Sequence, residues 1–302
     1  MPGLVRFGCL RRPAAGKARA ATPVVALAIA ALAAGCGTGA SPHAIGPPRA
    51  STESLAPGLS PGDPPRAALP PFVRPGRLSA AQTARLPLAT TYATTPAATQ
   101  DPAPFAPETG IVLHPTATLV IYTRPGGPAA AALPATELGG PTWVPVVRSQ
   151  PGWDQILLPT RPNRSTGWVY LGDGRVQTAH SPYQVDIDLA AYQLTILDAG
   201  RSLGTWTVAE GSPGAPTPAG RTFLLASLAP PHPTYSPLIL PLGAHSDTLT
   251  TYGGGPGTVG LHGWPDPAVF GHAVSHGCVR VPPAALQALS RVPLGSPVMI
   301  TG

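Results

Sequence analysis

Tyr183-Gln184-Val185-Asp186-Ile187-Asp188-Leu189, followed by Gln193-Leu194-Thr195-Ile196-Leu197, alternates apolar and polar side chains almost without a break. A period of two sends alternate side chains to opposite faces of a strand, so both runs read as half-buried β-strands. Asp198-Ala199-Gly200-Arg201 supplies a Gly-containing turn, and Gly204-Thr205-Trp206-Thr207-Val208-Ala209 continues as a strand. A Pro-rich loop runs from Gly211 to Phe223, after which Leu224–Leu228 and Ser236–Leu242 read as further strands. Ala284–Ser290 is the one stretch with helical character. Residues 181–302 are therefore expected to form a β-sandwich or curled sheet.

Upstream, residues 109–176 hold short β-prone runs: Leu119–Tyr122, Thr142–Val147, Trp153–Leu158 and Gly167–Leu171. Gly and Pro punctuate them, as expected for a small antiparallel barrel. The order of these runs resembles the small bacterial Src-homology-type barrels appended to cell-wall enzymes. Trp143, Trp153 and Trp168 read as core residues, with a ligand shelf as the alternative. Residues 37–108 are rich in Pro, Ala and Thr, and 15 of these 72 residues are Pro. Pro disfavours helix interiors and sheet ladders, so this stretch is expected to be a disordered, semi-rigid linker, with one short helical turn within Ser79–Leu88.

Residues 1–36 read as a secretory signal. Arg6, Arg11, Arg12, Lys17 and Arg19 precede an apolar run from Pro23 to Ala34, which is shorter than the roughly 20 residues needed to span a bilayer. Leu32-Ala33-Ala34-Gly35-Cys36 resembles a lipobox, although the branched apolar residue lies four places before Cys36 instead of three. The resemblance implies lipidation of Cys36 and anchoring at the outer face of the cytoplasmic membrane, in the cell-wall space. Those five cations account for most of the net charge of +6, and no acid offsets them before Cys36. The rest of the chain is nearly neutral, which argues against a nucleic-acid partner. The 35 Gly and 43 Pro, with only 11% charged residues, exclude one large helical domain. Of three Cys, only Cys278 falls in the expected folded part, so no intramolecular disulfide is available there.

Chemistry gathers in Gly260-Leu261-His262-Gly263-Trp264 and Ser275-His276-Gly277-Cys278-Val279-Arg280-Val281. A free thiol is only a few per cent ionised at neutral pH, and a nearby imidazole can take its proton. Gly277 permits a sharp turn that brings backbone N–H groups toward a reacting carbonyl oxygen, where one donor is worth about 2.7–4 kcal/mol. Arg280 offers a fork to a substrate carboxylate. These parts suffice for acyl transfer through a thioester. Zinc is the other chemistry open to His262, His272, His276 and Cys278, but their spacing departs from paired-ligand patterns. His245 is expected to be non-catalytic, Asp247 and Asp266 read as turn residues, and His272 carries no assigned role.

The SHGCVRV motif, preceded by HG, resembles the signature of the L,D-transpeptidase family (YkuD-type catalytic domain). The resemblance runs over roughly Pro182–Gly302 and includes Thr217-Pro218-Ala219-Gly220-Arg221-Thr222-Phe223, Gly253–Gly257 and the closing Gly295-Ser296-Pro297-Val298-Met299-Ile300. It implies a mainly β chain: a small antiparallel barrel followed by a β-sandwich catalytic domain with one or two short helices. It implies Cys278 as nucleophile, His262 as base, and His276, Ser275 and Gly277 as residues shaping the site and its oxyanion donors. Arg280, Gly263 and Tyr252 are expected to bind substrate. The implied reaction releases D-Ala from a tetrapeptide donor stem and forms 3-3 crosslinks in peptidoglycan, with carbapenem-type inhibitors acylating the same thiol. No cofactor or metal is implied. Trp264-Pro265 departs from the Thr or Ser usual beside the HG histidine. An L,D-carboxypeptidase and a catalytically weak wall-binding scaffold are the rival readings.

Overall fold

Alternation of apolar side chains builds two packed regions. The structure, a computed structural model, describes residues 71–302. The expected signal segment, Cys36 and the linker up to residue 70 lie outside the described residues. Among the described residues no helix is long and apolar enough to cross a membrane.

The first region opens with a single helical turn, α1 (Ala80–Ala84). Ser79 caps it, accepting from the Gln82 N–H while the Gln82 side chain accepts from the Ser79 N–H, a reciprocal capping box. The strands that follow are β1 (Thr99–Gln100), β2 (Ile111–Pro115), β3 (Leu119–Tyr122), β4 (Ala129–Leu133), β5 (Thr136–Glu137), β6 (Gly140–Pro141), β7 (Val144–Gln150), β8 (Trp153–Leu157), β9 (Ser165–Tyr170) and β10 (Val176–His180). They form an antiparallel sheet in the order β10-β2-β7-β8-β9-β3-β4, with β1 added to β9 and β5–β6 as a small separate hairpin. Leu113, Ile121, Leu133, Val144, Ile156 and Val169 fill its core. Trp153 and Trp168 are buried against Tyr122, whereas Trp143 is half-buried and stacks on His114 at 5.0 Å.

Part of the stretch expected to be a linker is bound to this sheet. The Ala89 N–H donates to the Ala132 carbonyl at 2.8 Å, Thr95 to Arg161 at 2.8 Å and Asp101 to Arg164 at 2.8 Å. Ala89, Thr91 and Thr95 are buried. Pro bars a continuous ladder, but the Ala and Thr residues between the prolines keep their donors and are small enough to seat closely. The result is a strap held by isolated bridges instead of a strand.

The second region contains β11 (Tyr183–Asp188), β12 (Gln193–Asp198), β13 (Arg201–Thr207), β14 (Glu210–Gly211), β15 (Gly220–Phe223), β16 (Ile239–His245), β17 (Thr258–Gly263), β18 (Ala273–Ser275), β19 (Val279–Val281), α2 (Pro283–Leu289) and β20 (Pro297–Thr301). One sheet runs β13-β12-β11-β20-β15, with β11 and β20 parallel. Another runs β16-β17-β19, with β17 and β19 parallel. Val185, Ile187, Leu194, Ile196, Val298 and Ile300 from the first sheet share one core with Leu240, Leu242, Val259, Leu261, Val279 and Val281 from the second. Helix α2 begins with Pro at its first position and buries Ala285, Leu286 and Leu289 in that core.

The run Leu224–Leu228 is not a strand. It makes only the bridges Leu224–Leu242 and Leu228–Ile239. Its start is a seam: Leu224 joins the core of the second region, while Phe223 and Leu225 join the core of the first. A period of two thus serves both cores at once. Gly243 makes room for the Phe223 ring, since a Cβ there would lie 2.3 Å from a ring carbon.

Charge reinforces this seam. Arg221 on β15 donates to both Asp101 carboxylate oxygens, at 2.5 and 2.9 Å, with both side chains almost fully buried. Glu108 approaches the same guanidinium at 3.7 Å, but neither of its oxygens has a hydrogen-bond partner. Burial pushes the Glu108 carboxyl from the usual 4.5 up to about 7, with Arg221 opposing and Asp101 adding to the rise. A carboxyl with a raised folded pKa keeps its proton after the unfolded chain has lost it. Stability therefore falls as pH climbs from about 4.5 to about 7, by at most about 3 kcal/mol. Glu108→Gln is expected to unfold like the parent at pH 4 and at higher urea than the parent at pH 8. Urea titrations at both pH values read this directly, and equal midpoints at pH 8 would show that burial does not raise the Glu108 carboxyl.

Candidate active site

The alternation that fills the core also sorts the chemistry. Val259 and Leu261 on β17, and Val279 and Val281 on β19, point into the sandwich. The residues between them face the other way. Parallel register pairs Leu261 with Val279 and His262 with Arg280. His262, Arg280 and Cys278 therefore share the outer face of this sheet, with His262 and Cys278 diagonal neighbours across the pair.

His262 is only 7% exposed although it faces away from the core. Tyr235 meets its ring edge-to-face at 4.9 Å, and the Trp264 ring lies 6.0 Å away. The His262 Nδ1 lies 2.8 Å from the Gly263 carbonyl. A carbonyl can only accept, so Nδ1 carries the proton and Nε2 keeps its lone pair. Burial pushes the imidazole below its usual pKa, the Gly263 bond opposes this, and Arg280 adds to the lowering. The imidazole is held neutral.

Cys278 is half-buried and free. Burial pushes its thiol up, against a backbone hydrogen bond from Gly260 and the positive charge of Arg280. The resting pair is therefore a thiol beside a neutral imidazole, not a preformed ion pair. The turn that presents the thiol is built locally. Ser275 Oγ donates to the Cys278 carbonyl at 2.5 Å and accepts from the Gly277 N–H at 3.1 Å. Gly277 sits at φ +112°, where a side chain would strain the backbone. Thr217 Oγ1 accepts from the Gly211 N–H and donates to the Gly277 carbonyl, both at 2.9 Å, tying the Pro-rich loop to the turn.

His276 is exposed and stacks on Tyr252 at 5.1 Å, with its Nδ1 3.4 Å from the Tyr252 hydroxyl. Arg280 lays its guanidinium over the Trp264 ring at 3.6 Å, and its buried Nε has no partner. Gly263, expected to bind substrate, is buried and borders the cavity beside Trp264. Its N–H donates to Ser236 Oγ at 2.8 Å and its carbonyl accepts from the His262 Nδ1–H, so its polar groups orient the imidazole. Tyr235, Pro237, Leu238, Trp264, Pro265 and Leu286 border a largely apolar cavity of about 430 Å³ beside the imidazole. Among the described residues no three His, Cys, Asp or Glu side chains converge as metal ligands. Asp266 caps a short turn by accepting from the Ala268 N–H, and His245 is buried with Nε2 2.8 Å from the Thr91 carbonyl.

Tyr235 and Ser236 reach the site from a loop that carries no motif, and their only sequence signal is proximity to a Pro-rich segment, which does not specify contacts. Thr217 lies in the Thr217–Phe223 stretch of the resemblance, but its bond to the thiol turn could not be read from that stretch.

Residues 182–300 match the family model of YkuD, the L,D-transpeptidase catalytic domain. This match lies in the C-terminal region of the chain. Among solved structures, an L,D-transpeptidase from Mycobacterium smegmatis is similar at 15% identity, covering 50% of this chain and 91% of that one, with a TM-score of 0.34. The catalytic domain of the E. faecium L,D-transpeptidase is 21% identical, covering 39% of this chain and 95% of that one, with a TM-score of 0.31. L,D-transpeptidase 3 from Mycobacterium tuberculosis, in complex with a faropenem-derived adduct, is 16% identical over 46% of this chain and 74% of that one, with a TM-score of 0.34. No curated protein matches the chain. The YkuD match spans all the residues of the outer-face site, from Tyr235 to Arg280.

Proposed function

We propose that this protein is a cysteine acyltransferase that forms 3-3 crosslinks in peptidoglycan, exported and lipid-anchored through Cys36. The observation that carries the reading is the parallel β17–β19 register, which sets a neutral, correctly tautomeric His262 and the Cys278 thiol on one face. His262 Nε2 takes the thiol proton as Sγ bonds to the carbonyl carbon preceding the terminal D-Ala of a tetrapeptide stem. The Cys278 backbone N–H, adjacent to the reacting sulfur, serves the developing oxyanion, because the Gly277 N–H is already directed at Ser275. Collapse breaks the C–N bond, and the imidazolium returns the proton to the departing D-Ala amine. An acceptor amine from a second stem then attacks the thioester, its proton passes to His262, and the thiol is regenerated as the new amide forms. Arg280 lies on the same face, where its guanidinium offers positive charge to a substrate carboxylate.

Intact mass after incubation with a carbapenem tests the nucleophile. One adduct per chain is expected in the parent and none in Cys278→Ala. Stem tetrapeptides then separate the rivals. Crosslinked dimers support the transpeptidase, and tripeptides alone would make the protein an L,D-carboxypeptidase. A folded parent with neither adduct nor product, yet bound to sacculi, would leave the scaffold reading.

A further inference from the structure

The thiol site is not built by the YkuD domain alone. The segment between β16 and β17, residues 246–257, carries Tyr252 against His276, two residues from Cys278. This segment closes on itself through the Ser246 N–H to Gly257 carbonyl bond at 2.8 Å and a tight Tyr252–Gly255 turn. What fixes it in place comes from the other region. Arg161 lies in the β8–β9 connection of the N-terminal sheet. Its Nη1 donates to the Ser246 carbonyl at 3.0 Å, and its Nη2 donates to the Leu249 and Pro256 carbonyls at 3.0 and 3.1 Å. One guanidinium thus joins both stems of the loop. Asn163 adds a reciprocal pair, accepting from the His245 N–H at 2.8 Å and donating to its carbonyl at 2.6 Å. Arg161 is itself pinned, since its N–H donates to Ala93 at 3.0 Å and its carbonyl accepts from Thr95 at 2.8 Å in the strap. Gly257, at φ +72°, passes so close that a Cβ would stand 3.0 Å from Arg161 Nη2.

We propose that Arg161 is a positioning residue for the reaction at Cys278: it locks loop 246–257 from the N-terminal region and so holds Tyr252 on His276 as one wall of the acyl-donor cleft. The N-terminal sheet then has a part in acyl transfer beyond any affinity for the wall. A planar fork with several fixed donors suits three converging carbonyls, which a lysine ammonium on a flexible stem satisfies poorly. The proposal rests on the acyltransferase reading for its consequence and on geometry alone for the clamp.

The test uses the folded chain and its Arg161→Gln, Arg161→Lys and Tyr252→Ala variants. Three quantities are read: hydrogen exchange across residues 246–257, the rate of Cys278 acylation by a carbapenem, and its alkylation by iodoacetamide. Arg161→Gln is expected to speed exchange in that loop and leave β11 and β12 unchanged. Acylation should slow about ten- to a hundredfold, because displaced cleft walls misplace a bulky donor. Alkylation by the small reagent should stay within about twofold, which separates positioning from damage to the thiol. Arg161→Lys should fall between Gln and the parent. Tyr252→Ala should slow acylation similarly, and the Arg161→Gln/Tyr252→Ala double variant should be no slower than the slower single one. Additive losses, or parent-like acylation in Arg161→Gln, would overturn the proposal. If Arg161→Gln does not fold, Arg161→Lys and the exposed Tyr252→Ala decide it by the same criteria. Should the parent itself resist acylation, the acyltransferase reading fails, and parent-like loop exchange in the Arg161 variants would overturn the clamp separately.

Discussion

Exchanging His262 for Gln is expected to slow acylation of Cys278 by about 10²–10⁴-fold and to change how the rate responds to pH. In the parent, burial holds His262 below its usual pKa and the Cys278 thiol above its own. The competent form, a thiol with a neutral imidazole, therefore fills a broad window bounded by the lowered imidazole pKa below and the raised thiol pKa above. The parent rate should rise through the acidic limb and then stay level across neutral pH. Gln cannot accept the proton, so the variant reacts only through the small fraction of spontaneous thiolate. Its rate should climb about tenfold per pH unit, with no plateau until the thiol pKa is passed. Carbapenem acylation followed by mass between pH 5 and 9 reads both limbs. A parent already at full rate at pH 5, with a Gln variant of the same shape, would mean that Cys278 rests as a thiolate and needs no base.

The outcome matters because one cation beside the pair pulls its two members in opposite directions. Arg280 favours the thiolate but disfavours the imidazolium, and its charge is spread over the Trp264 face at 3.6 Å. A cation–π contact of this kind is worth about 0.5–2 kcal/mol. Trp264 replaces a small polar residue expected near the base, and it serves as both a wall of the cavity and a partner for the cation.

Much of this arrangement was legible because it is local. Alternation in Tyr183–Leu189 and Gln193–Leu197 predicts β11 and β12; in the structure Val259–His262 and Cys278–Val281 alternate likewise and bring the imidazole and the thiol to one face. The helical turn after Ser79 follows from a capping box four residues long. What stayed hidden depends on residues far apart in sequence. Ala129–Leu133 has the composition of a helix, yet it is a strand because Leu119–Tyr122 pairs with it and Pro87–Ala89 bonds its outer edge. The strap reads as a linker in sequence because Pro content reports what a chain cannot do regularly, not where its remaining donors find partners. Arg161 reads as one loop cation among many until the fold brings it to carbonyls 85 to 95 residues away.

The seam yields the largest expected change in stability. Arg221→Met keeps most of the volume and removes the only cation within reach of the Asp101 and Glu108 carboxyls among the described residues. Glu108 responds by staying protonated, since its pKa already lies near 7 and loses the one influence that lowered it. Asp101 keeps the Ala103 N–H at 3.0 Å but loses two charge-assisted bonds while its side chain stays buried. Breaking a buried pair from one side costs about 3–5 kcal/mol, so the urea midpoint at pH 7 should fall accordingly and the melting temperature by about 10 °C. Adding Asp101→Asn should recover part of this loss, because the amide removes the stranded charge and leaves a group that still accepts from Ala103. A loss below 1 kcal/mol at pH 7, with no rescue by Asn, would mean that water reaches the pair and that the strap is not locked by charge. The position of Arg221 gives this result reach: four residues upstream, Thr217 holds the Gly277 carbonyl in the turn that presents Cys278. Loosening of the seam that leaves acylation unchanged would show that the Pro-rich loop insulates the thiol turn from the strap, whereas a matching loss of acylation in the folded variant would show that the two are mechanically one piece.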